Sequence, residues 1–402
     1  MRIRINPSRA SGRISAPPSK SMAHRLLISA AMCEGVSVIR GVSSCEDVIA
    51  TLDCIEALGV SYERQGEDIT VYGKDLRNAT PNGPLSCRES GSTLRFMIPI
   101  ALLSGKTTLF CGAPSLMARP MSVYERLCKS QGLTYITDGT TIAVKGRLLG
   151  GEYELVGNIS SQFISGLLFA LPTCEKDSKI KIVTAIESRS YIDMTIQALS
   201  LFGVRAEWVD DHTLFIPGGQ KYMARDISVE GDYSGTAFIE ALNLFGGNVK
   251  IDGLNPESIQ GDRVYRKFYD MLSLGVPTIH IGDCPDLGPV LFAVSAALCG
   301  GIFSGTKRLK IKESDRAEAM AKELSKFGTL VNVKEDSVVV YPAQLHKPTE
   351  PLYGHNDHRI VMALSILLSV TGGEIEGAEV VSKSYPGFFD DLTSLGIEVI
   401  RL

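Results

Sequence analysis

Gly35-VSVIRGVSSCEDVIATLDCIEALGVSYERQGEDITVY-Gly73 is the first copy of a pattern that organises the whole chain. A glycine opens a short β-branched strand, VSVIRG. An amphipathic helix follows, EDVIATLDCIEALG, closed by a glycine suited to a C-cap. A glycine-hydrophobe step and further strand complete the run. The second copy begins at Gly105 (KTTLFCGAPSLMARPMSVYERLCKSQGLTYITDGTTIAVKG) and the third near Asp177, while Gly246, Gly300 and Gly372 open the fourth, fifth and sixth. The starts are 70, 72, 69, 54 and 72 residues apart, so one interval alone is short. A period this long describes a small αβ subdomain copied in tandem, not a thin solenoid unit.

Working outward, each copy is preceded by a second kind of helix. These read SKSMAHRLLISAAM, SGSTLRFMIPIALL, SSQFISGLLFALP, DYSGTAFIEALNLF, DLGPVLFAVSAALC and NDHRIVMALSILLS. Each is small, polar or glycine-containing at its start and then apolar nearly all round, which predicts burial on every face. The glycine-closed helices, such as DRAEAMAKELSKFG, predict solvent-facing covers. Each unit is therefore expected to be βαβαββ, an α/β fold with buried parallel helices inside and sheets and amphipathic helices outside. Six units exceed one core, so two domains of three units each are expected. The chain is expected to cross between them near the Pro-rich APPSK and again between Arg225 and Glu230. That gives 1–19 with 229–402 as one discontinuous domain and 20–228 as the other.

Buried helices have a chemical consequence at their N-termini, where free N–H groups and the positive end of the macrodipole collect. If each half aims three helix starts at the other, the interdomain cleft becomes an anion trap. A single Ser, Asp or Asn at such a start reads first as an N-cap. Six starts with basic residues beside several of them read as a site.

Composition narrows the function classes. The 402 residues are 44% hydrophobic and 21% charged with a formal charge of −4, an ordinary globular composition unsuited to general polyanion binding. One Trp and few aromatics weaken any single-stranded nucleic-acid platform. Nine cysteines without a CxxC pair predict reduced thiols and a cytoplasmic protein. The longest apolar run, Val290 to Phe303, falls short of the ~20 residues needed to span a bilayer, so no membrane partner is expected. Gly300-GIFS-Gly-Thr-Lys307 has P-loop glycine spacing with Thr and Lys reversed, and His355 with His358 lacks the acidic partner of a zinc motif. Neither a nucleotide site nor a metal is predicted.

The densest local cluster is Pro18-Ser-Lys-Ser-Met-Ala-His-Arg25. Lys20 and Ser21 stand at one helix start with Arg25 about a turn inward, a point charge, a hydroxyl and a fork donor suited to phosphate or carboxylate. Basic residues recur at comparable places: Arg95 in ESGSTLR, Arg119 in APSLMARP, Lys312 and Arg316 in KIKESDR, Arg359 in NDHR and Lys383 in VSKSYP.

With these motifs in order, PSKSMAHR, SGSTLR, MARP, SSQF, KESDR, NDHR and SKSYP, the chain resembles the 5-enolpyruvylshikimate-3-phosphate synthase (3-phosphoshikimate 1-carboxyvinyltransferase) family from about Pro18 to Pro386. The resemblance implies two domains of three βαβαββ units closing over small-molecule substrates. It implies transfer of the enolpyruvyl group of phosphoenolpyruvate to shikimate-3-phosphate with release of phosphate, in aromatic amino-acid biosynthesis, with no cofactor or metal. By motif, Lys20, Ser21, Arg25, Ser160, Ser161, Gln162, Ser188, Asp286 and Lys312 fall on the shikimate-3-phosphate side, with Tyr191 packed nearby. Lys20, Gly91, Arg119, Gln162, Arg316, Arg359 and Lys383 fall on the phosphoenolpyruvate side. Asp286 of CPDLG corresponds to the general base, an N-cap role at DLGPVLF also being open to it. Glu313 corresponds to the proton donor and His358 to the family's active-site histidine. The chain departs from the family's usual GTAMRP at Gly91-Ser-Thr-Leu-Arg-Phe, and has Arg308 where many relatives carry a substrate-binding asparagine.

Three rivals are weaker. The sibling UDP-N-acetylglucosamine enolpyruvyl transferase carries a cysteine five residues before its Arg-Pro pair, where this chain has Pro114, and Lys-Asn where this chain has Lys20-Ser21. An RNA 3′-phosphate cyclase would call for a basic, aromatic surface. A repeat scaffold would need no basic residues at helix starts. The expected state is a monomer without a nucleic-acid partner.

Overall fold

Why the chain breaks into six similar pieces is visible in a computed structural model describing Met1 to Leu402. The six apolar segments are helices Lys20–Ala31, Gly91–Ala101, Ser161–Ala170, Tyr233–Leu244, Gly288–Ala297 and His358–Thr371, each buried along nearly its whole length. Four begin on side-chain caps: Ser90, Ser160, Asp232 and Asp357 accept from backbone N–H groups of the first turn. The cover helices bury one stripe each. Helix Ser122–Ser130 buries Val123, Tyr124, Leu127 and Cys128 and exposes its charged face. No helix is long and apolar enough to cross a membrane.

Two compact units result, Met1–Ser19 with Gly231–Leu402, and Lys20–Glu230. The second crossing lies two residues beyond the expected break after residue 228. The Val229 N–H donates to the Arg40 carbonyl and prolongs the pairing of strand Asp226–Ser228 with Gly35–Arg40, which keeps Val229 with the Lys20–Glu230 unit.

Within Lys20–Glu230 three four-stranded sheets share one plan. Leu85–Ser86 runs parallel to Gly105–Cys111, which pairs antiparallel with Thr141–Gly146, whose other edge is Thr134–Thr137. Glu152–Leu155, Ser178–Ile182, Thr213–Ile216 and Glu207–Trp208 repeat that order. Asp226–Ser228, from the end of the unit, supplies the parallel partner of Gly35–Arg40 at its beginning. A parallel pair needs a crossover, and the buried helices provide it. Their packing is close. A Cβ on Gly166 would lie 2.4 Å from the Arg95 carbonyl oxygen of the neighbouring buried helix, so any larger residue would force the two apart.

The Met1–Ser19 and Gly231–Leu402 unit follows the plan with two changes. Strand Arg2–Asn6 is inserted between Gly373–Glu376 and Glu398–Arg401, antiparallel to both, and completes the sixth repeat. The fourth repeat is incomplete against the expected βαβαββ. Ser11–Ser15 pairs parallel with Asn248–Asp252, helix Tyr265–Leu274 follows, and strand Thr278–His280 already belongs to the next sheet. This two-stranded sheet lacks the closing hairpin. The missing hairpin is the physical content of the 54-residue interval.

Candidate active site

The site residues form two sets, one in each unit, many of them at helix starts. In Lys20–Glu230, Pro17 and Pro18 prevent earlier helix and place Lys20 at the first position. Its ammonium lies 2.8 Å from Asp47, in the first turn of cover helix Glu46–Ala57. Asp47 suits that place, since a carboxylate is favoured at a helix N-terminus. One turn inward, the Arg25 guanidinium is buried. It donates to Thr195 Oγ1 (2.9 Å), the Ser21 carbonyl (2.6 Å) and the Tyr191 carbonyl (2.8 Å), and lies over the Phe96 ring. Burial lowers its pKa to about 10, so it stays charged at neutral pH. Arg25 thus ties the start of helix Lys20–Ala31 to helix Arg189–Leu201, a structural part that its motif did not suggest.

Gly91 is small for a local reason. A Cβ there would meet Arg119 Nη1 at 2.9 Å, Arg95 Nη1 at 3.1 Å and Gln162 Oε1 at 3.8 Å. Two guanidinium groups and an amide therefore converge on one helix N-terminus. Arg95 donates to Gln162 Oε1 at 2.7 Å, and the Gln162 amide donates to Ser92 Oγ at 2.8 Å, which fixes the flat amide between them. Ser160 accepts from the Gln162 N–H as the cap, and Ser161 is buried at the first helical position. Ser188, buried and left-handed at φ 57°, turns the chain into helix Arg189–Leu201.

The second set centres on Asp286. The N-cap role left open for it does not hold: Asp286 sits inside the short turn Pro285–Leu287, and helix Gly288–Ala297 has no side-chain cap. Its carboxylate instead accepts from Arg316 Nη1 (2.7 Å), Arg359 Nη2 (2.9 Å) and Lys312 Nζ (3.2 Å). Burial alone would raise the Asp286 pKa. Arg359, Lys312 and Arg316 outweigh it and hold the carboxyl well below the usual carboxylate range. Arg316, 1% exposed, also binds Glu313 at 2.7 Å and Asp357 at 2.8 Å. A buried guanidinium at a helix start is unfavourable by dipole and desolvation; three carboxylates offset both. Burial lowers Lys312 to about 8, against the opposing pull of Asp286.

Arg359 Nη1 donates to Ser234 Oγ at 2.7 Å. Lys383 donates to the Asn356 carbonyl at 2.7 Å. The His358 ring is buried, with Nδ1 4.0 Å from Asp357 Oδ1. Arg308 is buried and reaches the Gly282 carbonyl at 3.4 Å. Asp47, Asp357, Ser234 and Asp262 belong to these networks and were not singled out from the sequence. Asp357 and Ser234 lie inside the motifs NDHR and DYSG and were open to recognition. Asp47 and Asp262 carried no such signal.

Each set gathers cations, and the second holds an ionised carboxylate among them. Comparison with known proteins identifies the family. The family model described as EPSP synthase (3-phosphoshikimate 1-carboxyvinyltransferase) matches residues 5–392. A protein of Clostridium kluyveri named 3-phosphoshikimate 1-carboxyvinyltransferase is 39% identical, covering 99% of this chain and 98% of that protein. One of the same name from Clostridium botulinum strain Eklund 17B is 38% identical over 98% and 97%. A solved EPSP synthase from Acinetobacter baumannii shares the fold at TM-score 0.79 and 23% identity, covering both chains in full. The chain belongs to the EPSP synthase (3-phosphoshikimate 1-carboxyvinyltransferase) family.

Proposed function

We propose a division of labour between the two sets in the family's reaction. The chain transfers the enolpyruvyl group of phosphoenolpyruvate to shikimate-3-phosphate in the shikimate pathway. The helix starts of Lys20–Glu230 bind shikimate-3-phosphate through Lys20, Ser21, Ser160, Ser161, Gln162 and Ser188, with Arg25 holding that surface together. Arg119, beside Gly91 and Gln162, meets phosphoenolpyruvate there. Arg316, Arg359 and Lys383 meet the same substrate from the other set, and Lys312 meets shikimate-3-phosphate. This reading requires both sets to engage one pair of substrates.

The observation that carries the roles is the threefold cationic hold on Asp286. In that state Asp286 is a weak base. Anionic substrates compete for Lys312, Arg316 and Arg359, and each cation they draw away raises the proton affinity of Asp286. Asp286 then removes the proton of the 5-hydroxyl as its oxygen bonds to C2 of phosphoenolpyruvate, while Glu313, protonated once substrate has drawn Arg316 from it, passes that proton to C3. Glu313, now a carboxylate, takes a proton back from C3 as the C2–O bond to phosphate breaks, which restores the double bond and releases phosphate. The arginines offset the charge of the two polyanions throughout.

The chain is read as a monomer that uses no cofactor. The nine cysteines are unpaired, which fits a reducing cytoplasm. The test is phosphate release on mixing phosphoenolpyruvate with shikimate-3-phosphate or, separately, UDP-N-acetylglucosamine. Release with the first alone is expected. Release only with the second would move the chain to the sibling activity.

A further inference from the structure

Near Arg359 and Asp286 lies a buried carboxyl group that the reaction scheme leaves without a role. Asp262 is 3% exposed in the turn Gly261–Val264, and the Ser234 hydroxyl favours its ionised form. Ser234 Oγ in turn accepts from Arg359 Nη1 at 2.7 Å, while Arg359 Nη2 reaches Asp286 Oδ2 at 2.9 Å. A hydroxyl that accepts from a guanidinium has its own hydrogen left for a carboxylate. The order is therefore Asp262, Ser234, Arg359, Asp286.

The position is built rather than incidental. Two residues before Asp262, the Gln260 side chain accepts from the Tyr233 N–H at 3.0 Å and donates to the Gly231 carbonyl at 2.8 Å. That clamps the turn to the start of the helix carrying Ser234. Asp262 is no helix cap, since helix Tyr265–Leu274 has no side-chain cap. The charged and titratable groups around it are Asp286, Arg359, Asp232 and Cys284. Placing a carboxyl group so close to Asp286 and out of water is unfavourable, which argues for a use.

We propose that Ser234 and Asp262 are positioning residues that hold Arg359 by one nitrogen while its other nitrogen exchanges Asp286 for phosphoenolpyruvate. Without the pair, a guanidinium leaving Asp286 is free to swing on its flexible stem. With it, the group stays in place and the ligand meets a preset fork. The proposal rests on reading Arg359 as a phosphoenolpyruvate ligand.

The test is steady-state kinetics on Ser234→Ala, Asp262→Asn, their double variant and Arg359→Lys, each checked for a native thermal transition. Each single variant of the pair is expected to raise the KM for phosphoenolpyruvate about tenfold, with kcat and the KM for shikimate-3-phosphate within about threefold. The double variant should be no worse than the poorer single one, because both break the same link. An unchanged phosphoenolpyruvate KM in Ser234→Ala, where Arg359→Lys raises it, overturns the positioning role and leaves the ligand reading intact. If Arg359→Lys is also unchanged, the ligand reading falls and the proposal with it. Equal rises in both KM values would mark a general loss of structure and also overturn it.

Discussion

Arg25 and Arg316 are both buried guanidiniums within a turn of a helix start, yet their surroundings are opposite. Arg25 is held by a hydroxyl, two carbonyls and an aromatic face, and burial lowers its pKa. Arg316 is held by three carboxylates. Burial works against its charge too, but Asp357, Glu313 and Asp286 raise its pKa above the ordinary arginine value. Neutral partners leave the charge of Arg25 uncompensated, so its field reaches whatever sits at the adjacent helix start. Ionic partners compensate Arg316, so an anion can engage it only by exchange. Arg25 is a standing attractor and Arg316 a stored balance.

The sharpest way to break the comparison is to remove the carboxylate at its centre. Asp286→Asn should lower kcat by about a thousandfold, near the middle of the range for a lost general base. Shikimate-3-phosphate binding, followed by calorimetry, should persist. A kcat within tenfold of the parent would leave Asp286 as a mere counter-charge.

Next come the two arginines themselves. Arg316→Met strands the fully buried Asp357 and should destabilise its unit by roughly 3–5 kcal/mol. Arg25→Met leaves only neutral oxygens unpaired and should cost about 1–3 kcal/mol. Denaturant unfolding of both variants checks the order. Equal losses would erase the distinction between ionic and neutral surroundings.

Smaller effects follow from pH. Lys312 is charged below about pH 8 in the free protein and neutral above it, because its folded pKa lies below the ordinary lysine value. The KM for shikimate-3-phosphate should therefore rise above about pH 8, and Lys312→Arg should flatten that rise. A parent profile that stays level to pH 9.5 would remove Lys312 from the binding surface.

The smallest effect concerns Asp262. Burial, then the Asp286 charge, raise it to about 6, above the ~3.9 of an unfolded carboxyl. Its contribution to stability is therefore fully present below about pH 4 and is lost as pH rises through about 6. Asp286 shifts the other way, so its contribution is lost only below about pH 4. Between pH 4 and pH 8 the melting temperature of Asp262→Asn, relative to the parent, should climb. A flat difference would mean that Asp262 carries no raised affinity for its proton.

Much of this fold is legible in the chain's local patterns. The six apolar helices were readable because burial on every face leaves no polar stripe, and the cover helices because theirs is regular. The glycine after helix Glu46–Ala57, Gly59, takes the left-handed φ of 85° that its closing position suggested. The motif arginines and lysines were readable as residue types at helix starts. Other parts were not. The 54-residue interval signalled a short repeat without saying which strands were missing. For Asp286 the local pattern left a cap role open beside the base role that the resemblance implied, and only the structure removed the cap.

Sequence by itself determined the repeat, the two kinds of helix and the set of charged residues at helix starts, since all of these are local patterns within a few turns of chain. Tertiary structure alone decided which charges share a partner. Arg359 meets Asp286 from 73 residues away and Ser234 from 125. A hydrogen bond acts over about 3 Å and an ion pair weakens with every further ångström. Chain separation carries no information about such distances. Only the packing of the buried helices sets them.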